Sequence, residues 1–341
     1  MTSKMQRIVL NSRPEGAPTA ENFRLETTDL PTPGPGEVLV KAQYMSLDPY
    51  MRGRMSDVAS YADPVPVGGA MEGGAVGEVV TSNHPDLAPG DTVLGMFGWA
   101  SHGCLPGAQL QKLDPALQPI SAALGVLGMP GFTGWHGLNE IGRPKAGETL
   151  VVAAATGPVG SMVGQLARAR GLKVVGIAGG ADKCKLATDT FGFDACLDHR
   201  SYATAKDLRA ALAEACPDGI DIYFENVGGK VLEAVLPLMN RFGRIPLCGM
   251  IAWYDGETSD TRLTAPGLWR TVLVKHLTIS GFIIANHYDR YPAFLKEVSP
   301  LVAGGQVRFV EDVATGLENA PEAFIKMLKG GNTGKQVVKL D

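Results

Sequence analysis

The 341-residue sequence predicts an α/β protein in which a doubly wound parallel sheet is inserted into a β-rich domain. Three observations predict this fold class. Short strand-like segments, punctuated by Gly and Pro, fill the first third of the chain. Six buried-strand patterns then alternate with helical patterns between residues 150 and 283. After residue 305 the chain returns to short strand-like segments, which we expect to rejoin the first domain.

The β-rich domain is predicted to comprise residues 1–125 and 305–341. Its first strand-like segments follow turn signals, which is typical of a compact, barrel-like unit. These segments are residues 37–42, 75–80 and 91–96. Near the C-terminus, we expect strands at residues 307–313 and 336–340 and a helix at residues 321–329.

The loop at residues 44–55 is the unusual part of this domain. Two tyrosines, two arginines and three methionines crowd a short segment that is broken by Pro and Gly. Adaptable thioethers beside polar groups suit the wall of a substrate pocket, for which Tyr50, Arg52 and Met55 are candidates. Packing against the next domain explains the same residues equally well, so both interpretations stay open.

The inserted domain is predicted at residues 126–304, and helical segments between residues 121 and 139 lead into it. Its strands are predicted at residues 150–154, 173–177, 195–198, 221–225, 243–248 and 277–283. Its helices are predicted at residues 182–191, 202–215, 229–240 and 288–302. This alternation is typical of a doubly wound parallel sheet.

The first strand of this domain leads into a glycine turn and a helix start, the parts of a Rossmann dinucleotide site. Against the pattern G-x-G-x-x-G, the first glycine is replaced by Ala155, and Gly157 and Gly160 follow. Such a turn lets the backbone approach a pyrophosphate, whose charge the N–H groups of the helix start stabilise. A mere tight turn is the alternative, although the second strand follows at the spacing that a parallel βαβ unit requires.

The end of the second strand predicts which nicotinamide cofactor is bound. An NAD site usually carries an acidic residue there for the ribose hydroxyls. Here the strand runs into Ala178, Gly179 and Gly180, with Lys183 three residues on. Small residues leave room for a 2′-phosphate and an ammonium group can pair with it, which favours NADP(H). The alternative is that Lys183 is a solvated charge on a helix surface.

Composition and charge exclude several classes of protein. With 45% hydrophobic and 19% charged residues, a packed core is expected, and the net charge of −4 without a basic block gives no indication of nucleic-acid binding. No signal-peptide core or bilayer-length apolar run is evident, so we expect a cytoplasmic protein without a membrane partner. The five scattered cysteines and six histidines show no metal-ligand spacing, and no metal site is predicted.

Four separated segments, at residues 44–55, 153–160, 224–229 and 248–251, resemble the zinc-independent branch of the medium-chain dehydrogenase/reductases. Within that branch the sequence is most similar to the prostaglandin reductases and the plant and bacterial alkenal double-bond reductases, including curcumin reductase-like proteins. Zinc-dependent relatives use a cysteine in the early loop, where this chain has Ser46 and Asp48. The resemblance implies a GroES-like catalytic domain, a Rossmann domain and NADPH in the cleft between them.

The resemblance also implies which residues bind the cofactor. Lys183 is similar to the family lysine that holds the 2′-phosphate, whereas His199 replaces the usual tyrosine. The pyrophosphate is expected on the glycine turn, Asn226 beneath the cofactor, and residues 248–254 along it. The full set of expected cofactor contacts is Thr156, Gly157, Pro158, Val159, Gly160, Gly180, Lys183, His199, Asn226, Cys248, Met250, Tyr254, Phe282, Ile283, Ile284 and Asn332.

The implied reaction is reduction of the C=C bond of an α,β-unsaturated ketone or aldehyde. Hydride transfer to the β-carbon builds negative charge on the carbonyl oxygen, which needs a hydrogen-bond donor. Tyr254 and Tyr50 are the candidate donors, and Trp253 joins Tyr50, Arg52 and Met55 as a candidate for the substrate pocket. Tyr254 could instead only pack beside the cofactor. A quinone reductase and a non-catalytic NADPH-binding sensor are the alternative functions.

The resemblance finally implies a homodimer joined through the edge of the Rossmann sheet. The apolar run at residues 277–285 is the candidate seam, although it suits a buried core equally well.

Overall fold

The computed structural model describes residues 4–256 and 263–340. The chain forms two compact units. One unit, here the β-rich unit, contains the chain up to Gly125 and from Glu311 onward, and the Rossmann unit is Val126–Val310. Within the described residues, no helix is both long and apolar enough to cross a membrane.

The first part of the β-rich unit is built from antiparallel strands. Its elements are β1 (Lys4–Leu10), β2 (Phe23–Asp29), β3 (Glu37–Ser46), the short helix α1 (Met51–Arg54), β4 (Ala75–Ser82), β5 (Thr92–Gly95), β6 (His102–Pro106) and β7 (Gln111–Lys112). Strands β1 and β2 form a separate hairpin, and β3 pairs with both β4 and β6. This hairpin was not predicted, because the long link between its strands lacks the signal of a tight turn.

The Rossmann unit alternates strands and helices, as the sequence predicts. Its elements are α2 (Met129–His136), β8 (Thr149–Ala153), α3 (Pro158–Ala169), β9 (Lys173–Ala178), α4 (Ala181–Lys185), β10 (Ala195–Asp198), α5 (Ala205–Ala215), β11 (Ile220–Phe224), α6 (Gly229–Val235), β12 (Met239–Leu247), α7 (Ala265–Lys275), β13 (Thr278–Gly281) and α8 (Tyr291–Ala303). The six strands are parallel, in the order β10-β9-β8-β11-β12-β13. The chain therefore reverses its direction of winding between β8 and β11, the switch point where ligands bind in such sheets.

Burial explains why the strands of this sheet were predictable. All five residues of β8 are buried, and β9 is buried from Val174 onward. A parallel sheet covered on both faces needs continuous apolar strands of this kind, because neither face meets water.

Two element boundaries differ markedly from the prediction, and one helix was not predicted. The predicted helix at residues 229–240 ends at Val235, since Pro237 follows and β12 begins at Met239. The strand expected at residues 307–313 begins only at Glu311. Val307 instead donates its N–H to the Leu301 carbonyl and so belongs to the turn that ends α8. Helix α7 was not predicted.

The chain then completes the β-rich unit with β14 (Glu311–Thr315), α9 (Ala320–Leu328) and β15 (Lys335–Lys339). Strand β15 pairs antiparallel with β3 and parallel with β14, giving the order β14-β15-β3-β4-β5-β7. Phe324 on α9 packs edge-on against Phe23 and Trp99 in the core. The predicted fold class, a parallel doubly wound sheet whose segment is inserted in sequence between the two parts of a β-rich unit, is confirmed.

Candidate functional site

The glycine turn lies between β8 and α3, at the switch point of the sheet. Gly160 is required by close packing: a Cβ there would lie 3.0 Å from the Ala154 carbonyl carbon and closer still to its oxygen. At Gly157 a Cβ would meet only that carbonyl oxygen, at 3.4 Å, so the space beside Gly157 is open. Gly157 is the N-cap of α3, whose first-turn N–H groups can therefore face an anion.

The departure from the glycine fingerprint at Ala155 has a local explanation. A Cβ built on Gly176 of β9 would lie 2.8 Å from the Ala155 Cβ. Because Gly176 has no side chain, the methyl group of Ala155 can occupy the space beside β9. Of the remaining turn residues predicted to bind pyrophosphate, Thr156 is buried, and Pro158 and Val159 open the helix.

Basic side chains gather at the ends of β9 and β10, where the 2′-phosphate is predicted. A Cβ on Gly179 would lie 2.9 Å from Arg200 Nε and 3.2 Å from His199 Nε2, so both side chains lie against this glycine. Gly180 has a φ of +108° and is the N-cap of the short helix α4, which carries Lys183 in its last turn. A guanidinium and an ammonium group suit a phosphate. Arg200 was not among the predicted contacts.

Asp198 holds these two loops together. Its Oδ1 accepts hydrogen bonds from the Gly180 N–H, at 2.8 Å, and the Arg200 N–H, at 2.9 Å. Its Oδ2 accepts one from the Ser201 hydroxyl, at 3.1 Å. Although burial opposes the change, these hydrogen bonds lower the pKa of Asp198 below its ordinary value. An ionised Asp198 thus connects the backbone of Arg200 to that of Gly180.

Asn226 lies two residues after the end of β11, on the other side of the switch point. Its Nδ2 donates a hydrogen bond of 2.8 Å to the Ala153 carbonyl at the end of β8. Its own carbonyl accepts the N–H of Ile251, so the segment at residues 248–254 runs beside it. The structure therefore brings together Asn226, the glycine turn and this segment, as the resemblance implies.

The segment at residues 248–254 carries the candidate donor Tyr254. The Trp253 ring packs on Gly228, where a Cβ would come within 2.8 Å of it. The Tyr254 hydroxyl lies 3.2 Å from the position of a Cβ on Gly249. Trp253 Nε1 is buried without a hydrogen-bond partner in the part of the chain that the structure describes. Met250, which precedes both aromatic residues, is exposed.

Cys248 begins this segment, and its thiol is held protonated. Burial and the nearby Glu225 carboxyl raise the pKa of Cys248 to about 12. Burial likewise raises the pKa of Cys216 to about 11 and shifts the pKa values of Cys104, Cys184 and Cys196 upward. All five cysteines are free.

Phe282, Ile283 and Ile284 follow β13 and are half-buried. Phe282 lies 5.5 Å, between ring centroids, from His136, which stacks on His287 at 4.1 Å. Burial, followed by the charge of His287, lowers the pKa of His136. His136 Nδ1 is buried with no hydrogen-bond partner among residues 4–256 and 263–340.

The remaining predicted site residues belong to the β-rich unit. Tyr50 is half-buried, and burial, followed by the charges of Asp48 and Glu72, raises its pKa. Asn332 lies between α9 and β15, where its Nδ2 donates to the Gly334 carbonyl at 2.8 Å. Contact of these residues with cofactor or substrate stays a prediction.

For Met55 and Arg52, the structure contradicts the prediction that their side chains line the substrate pocket. Met55 is fully buried and packs in the hydrophobic core of the β-rich unit. Arg52 is also buried, and its guanidinium donates to the Ser56 hydroxyl and the Gly16 carbonyl. Both side chains therefore support the loop from inside and do not form a pocket wall, because their apolar and hydrogen-bonding surfaces are already covered.

A buried ion pair anchors the same loop. Lys335 Nζ lies 2.6 Å from Asp48 Oδ1 and 2.8 Å from the Leu47 carbonyl oxygen, and Asp48 also accepts a hydrogen bond from the Ser46 hydroxyl. Burial lowers the pKa of Lys335, and Asp48 opposes this change.

Within residues 4–256 and 263–340, no group of three or more His, Cys, Asp or Glu is placed to hold a metal ion.

Comparison with known proteins shows similarity along the whole chain. Residues 6–113 match a family described as "N-terminal domain of oxidoreductase", and residues 158–300 match one described as "Zinc-binding dehydrogenase". The "NADPH-dependent curcumin reductase" of Escherichia coli (strain K12) is 54% identical over 337 residues, 98% of this chain and 96% of that protein.

Two further proteins extend this similarity. The "2-alkenal reductase (NADP(+)-dependent)" of Nicotiana tabacum is 41% identical over 340 residues, 98% of this chain and 96% of that protein. The crystal structure of CurA in complex with NADPH from Vibrio vulnificus is 49% identical, with a TM-score of 0.93 over 98% of this chain and 99% of that chain. This chain therefore belongs to the alkenal double-bond and prostaglandin reductase family, within the zinc-independent medium-chain dehydrogenase/reductases.

Proposed function

We propose that the protein is an NADPH-dependent reductase of the C=C bond of α,β-unsaturated ketones and aldehydes, working without zinc. The observation that carries the proposal is the phosphate site at the ends of β9 and β10. There the His199 and Arg200 side chains lie against Gly179, and β9 ends without a carboxylate. The 54% identity to an NADPH-dependent curcumin reductase supports the choice of a conjugated carbonyl as acceptor.

NADPH, when bound, supplies the hydride that the β-carbon of the acceptor receives. The glycine turn and the start of α3 hold the pyrophosphate by their backbone N–H groups. Arg200, His199 and Lys183 pair with the 2′-phosphate. Asn226, Phe282, Ile283 and Ile284 are assigned to the nicotinamide half, and Asn332 is assigned as a further cofactor contact.

Negative charge then develops on the carbonyl oxygen, and a proton must reach the α-carbon to complete the reduction. We assign Tyr254 as the principal hydrogen-bond donor to that oxygen and Tyr50 as the second. The raised pKa of Tyr50 keeps its hydroxyl protonated, which suits a donor and not a base. A donor of this kind contributes about 3 kcal/mol to transition-state stabilisation.

The reaction is tested with an enone, its saturated ketone and a quinone, each offered with NADPH and with NADH. Of the three acceptors, we expect only the enone to support oxidation of NADPH. In mass spectrometry, the product should be heavier than the enone by two hydrogen atoms. Faster turnover of the quinone would favour the quinone reductase alternative. Binding of NADPH without turnover of any acceptor would favour a sensor.

Tyr254→Phe tests the donor assignment. The variant is expected to lower kcat by about tens to hundreds of fold, because it removes a hydrogen bond that forms in the transition state. The Kd for NADPH should stay unchanged in a fluorescence titration. An unaltered kcat would exclude Tyr254 from the chemistry and leave it as a packing residue.

We also propose a homodimer joined through β13 and α7. No residue of α7 is buried, and three of its large apolar residues are exposed. The exposed fractions are 66% for Trp269, 76% for Leu273 and 62% for Val274. In the described part of the chain, β13 pairs only with β12, so its outer edge can pair with the β13 of a second copy. Leu273→Glu should dissociate the dimer in sedimentation analysis, whereas Val58→Glu, at an exposed apolar residue of the β-rich unit, should not. A monomeric wild type would contradict this proposal.

Free thiols at all five cysteines support a cytoplasmic location, where thiols stay reduced. The net charge of −4 supports the expectation that nucleic acid is not a partner. Cell fractionation and a binding titration with duplex DNA test these two expectations.

A further inference from the structure

Glu225 is a buried carboxyl group that the proposed chemistry does not use. It follows β11 at the switch point and is 1% exposed. Burial raises its pKa, although hydrogen bonds from the backbone oppose the change. A buried carboxyl is costly unless its oxygens are bonded, so its presence here calls for an explanation.

One carboxylate oxygen closes the turn that follows β11. Oε1 accepts hydrogen bonds from the Val227 N–H, at 2.6 Å, and the Gly228 N–H, at 2.9 Å. Gly228 has a φ of +80°, so the backbone of this turn follows a path that a non-glycine residue rarely adopts. The buried hydroxyl of Tyr223, in β11 two residues before Glu225, also interacts with this carboxyl group.

The backbone of Glu225 holds the neighbouring segment as well. Its carbonyl accepts the N–H groups of Cys248, at 3.0 Å, and Gly249, at 3.2 Å, and its own N–H donates to the Pro246 carbonyl. Glu225 thus closes the turn after β11 through its side chain and joins the ends of β11 and β12 through its main chain.

The residues that these bonds locate are the proposed functional ones. Asn226 follows Glu225 directly, and the Trp253 ring packs on Gly228, whose N–H the carboxylate binds. The Tyr254 hydroxyl lies beside Gly249, whose N–H the Glu225 carbonyl binds. A turn that moved here would therefore shift the residues assigned to the nicotinamide and to the developing enolate.

We propose that Glu225 is a positioning residue: its carboxylate locks the turn at residues 225–228, and so keeps Asn226, Trp253 and Tyr254 in the geometry for hydride transfer. This inference rests on the proposed function for the identity of the reacting groups. It assigns Glu225 no contact with cofactor or substrate. The alternative is a purely structural cap at the start of α6, which would contribute to stability alone.

The test compares Glu225→Asp, Glu225→Ala and Glu225→Gln. Glutamine keeps an oxygen that can accept both N–H groups, whereas aspartate keeps the charge and is one methylene too short. We expect Glu225→Gln to retain NADPH affinity and the single-turnover rate of hydride transfer within about threefold. Glu225→Asp and Glu225→Ala should raise the Kd for NADPH about tenfold and slow hydride transfer by about tenfold to a hundredfold at saturating cofactor, because small misplacements are costly in catalysis.

Glu148→Ala provides the matched control for lost stability. Glu148 binds Arg244 with both carboxylate oxygens, at 2.9 and 2.6 Å, and precedes β8 at the opposite end of the strand from the glycine turn. This variant should lower the melting temperature and leave Kd and hydride transfer unchanged. If folded Glu225→Asp behaves in the same way, Glu225 is a structural cap and the proposal is wrong.

The cofactor titration also separates this inference from the proposed function. NADPH binding is measured by fluorescence and needs no acceptor. A wild-type protein that binds NADPH but reduces no enone would contradict the proposed reaction. In that case a wild-type Kd in folded Glu225→Asp and Glu225→Ala would still overturn the positioning role, and a raised Kd would support it.

Discussion

Lys335→Met is expected to be among the most destabilising substitutions in the β-rich unit. The Lys335 side chain is 3% exposed and that of Asp48 is 8% exposed, with 2.6 Å between Nζ and Oδ1. Methionine matches the length of the stem but removes the charge, which leaves the Asp48 carboxylate buried without its cation. Breaking a buried pair in this way costs about 3–5 kcal/mol.

For a domain of this size, such a loss corresponds to a decrease of about 6–20 °C in Tm. Thermal and urea unfolding followed by circular dichroism would measure it. The double variant Asp48→Asn/Lys335→Met should recover a large part of the lost stability, because neither charge then stays buried alone. A Lys335→Met protein that melts within about 2 °C of the wild type would refute this account of the loop anchor.

Gly160→Ala should lower both the Tm and the NADPH affinity, because the added Cβ has no room. Gly157→Ala should keep the Tm and lower only the NADPH affinity, because the space beside Gly157 is open. An equal decrease in the Tm of the two variants would contradict this account. Because burial and His287 lower the pKa of His136 below 6.5, the unfolded chain takes up the proton more readily, and stability is lost as the pH falls below about 6.5. His136→Phe should therefore flatten the decline of Tm between about pH 7 and 5.5, and an unchanged slope would argue against it. Arg200→Ala should raise the Kd for NADPH about tenfold and leave that for NADH unaltered, since a charge-assisted bond to the 2′-phosphate is lost; an equal loss for both cofactors would exclude Arg200 from phosphate binding.

The fold was predictable where local pattern and tertiary environment agree. The strands β8 and β9 are apolar because they are buried, and this was visible in the sequence. Helix α7 was missed because its apolar residues occupy more than one face: Leu268 and Val272 pack on the core, whereas Trp269, Leu273 and Val274 are exposed. No polar face therefore lies opposite an apolar one. No strand begins at residue 307, because the Val307 N–H donates a hydrogen bond to the Leu301 carbonyl in a turn.

The candidate site was predictable only where a motif marks it. The glycine turn is a contiguous pattern, so the sequence shows it before the fold is known. Asp198 and Glu225 carry no such signal, because their roles arise from hydrogen bonds to loops that the fold brings together. The Asp198 carboxylate meets the N–H of Gly180, eighteen residues earlier in the chain. The prediction that Met55 lines the pocket was wrong because the sequence does not show which distant residues surround this loop. In the structure, the hydrophobic core of the β-rich unit surrounds Met55.

The protonated state of the cysteines has a consequence for an enzyme that handles conjugated carbonyls. Such acceptors are soft electrophiles that alkylate thiolates, and only the thiolate is strongly nucleophilic. With a pKa of about 12, the Cys248 thiol exists as thiolate in on the order of one molecule in 10⁵ at neutral pH. The raised pKa thus slows alkylation of Cys248 by the protein's own proposed substrates, at the start of a segment that is assigned to the cofactor.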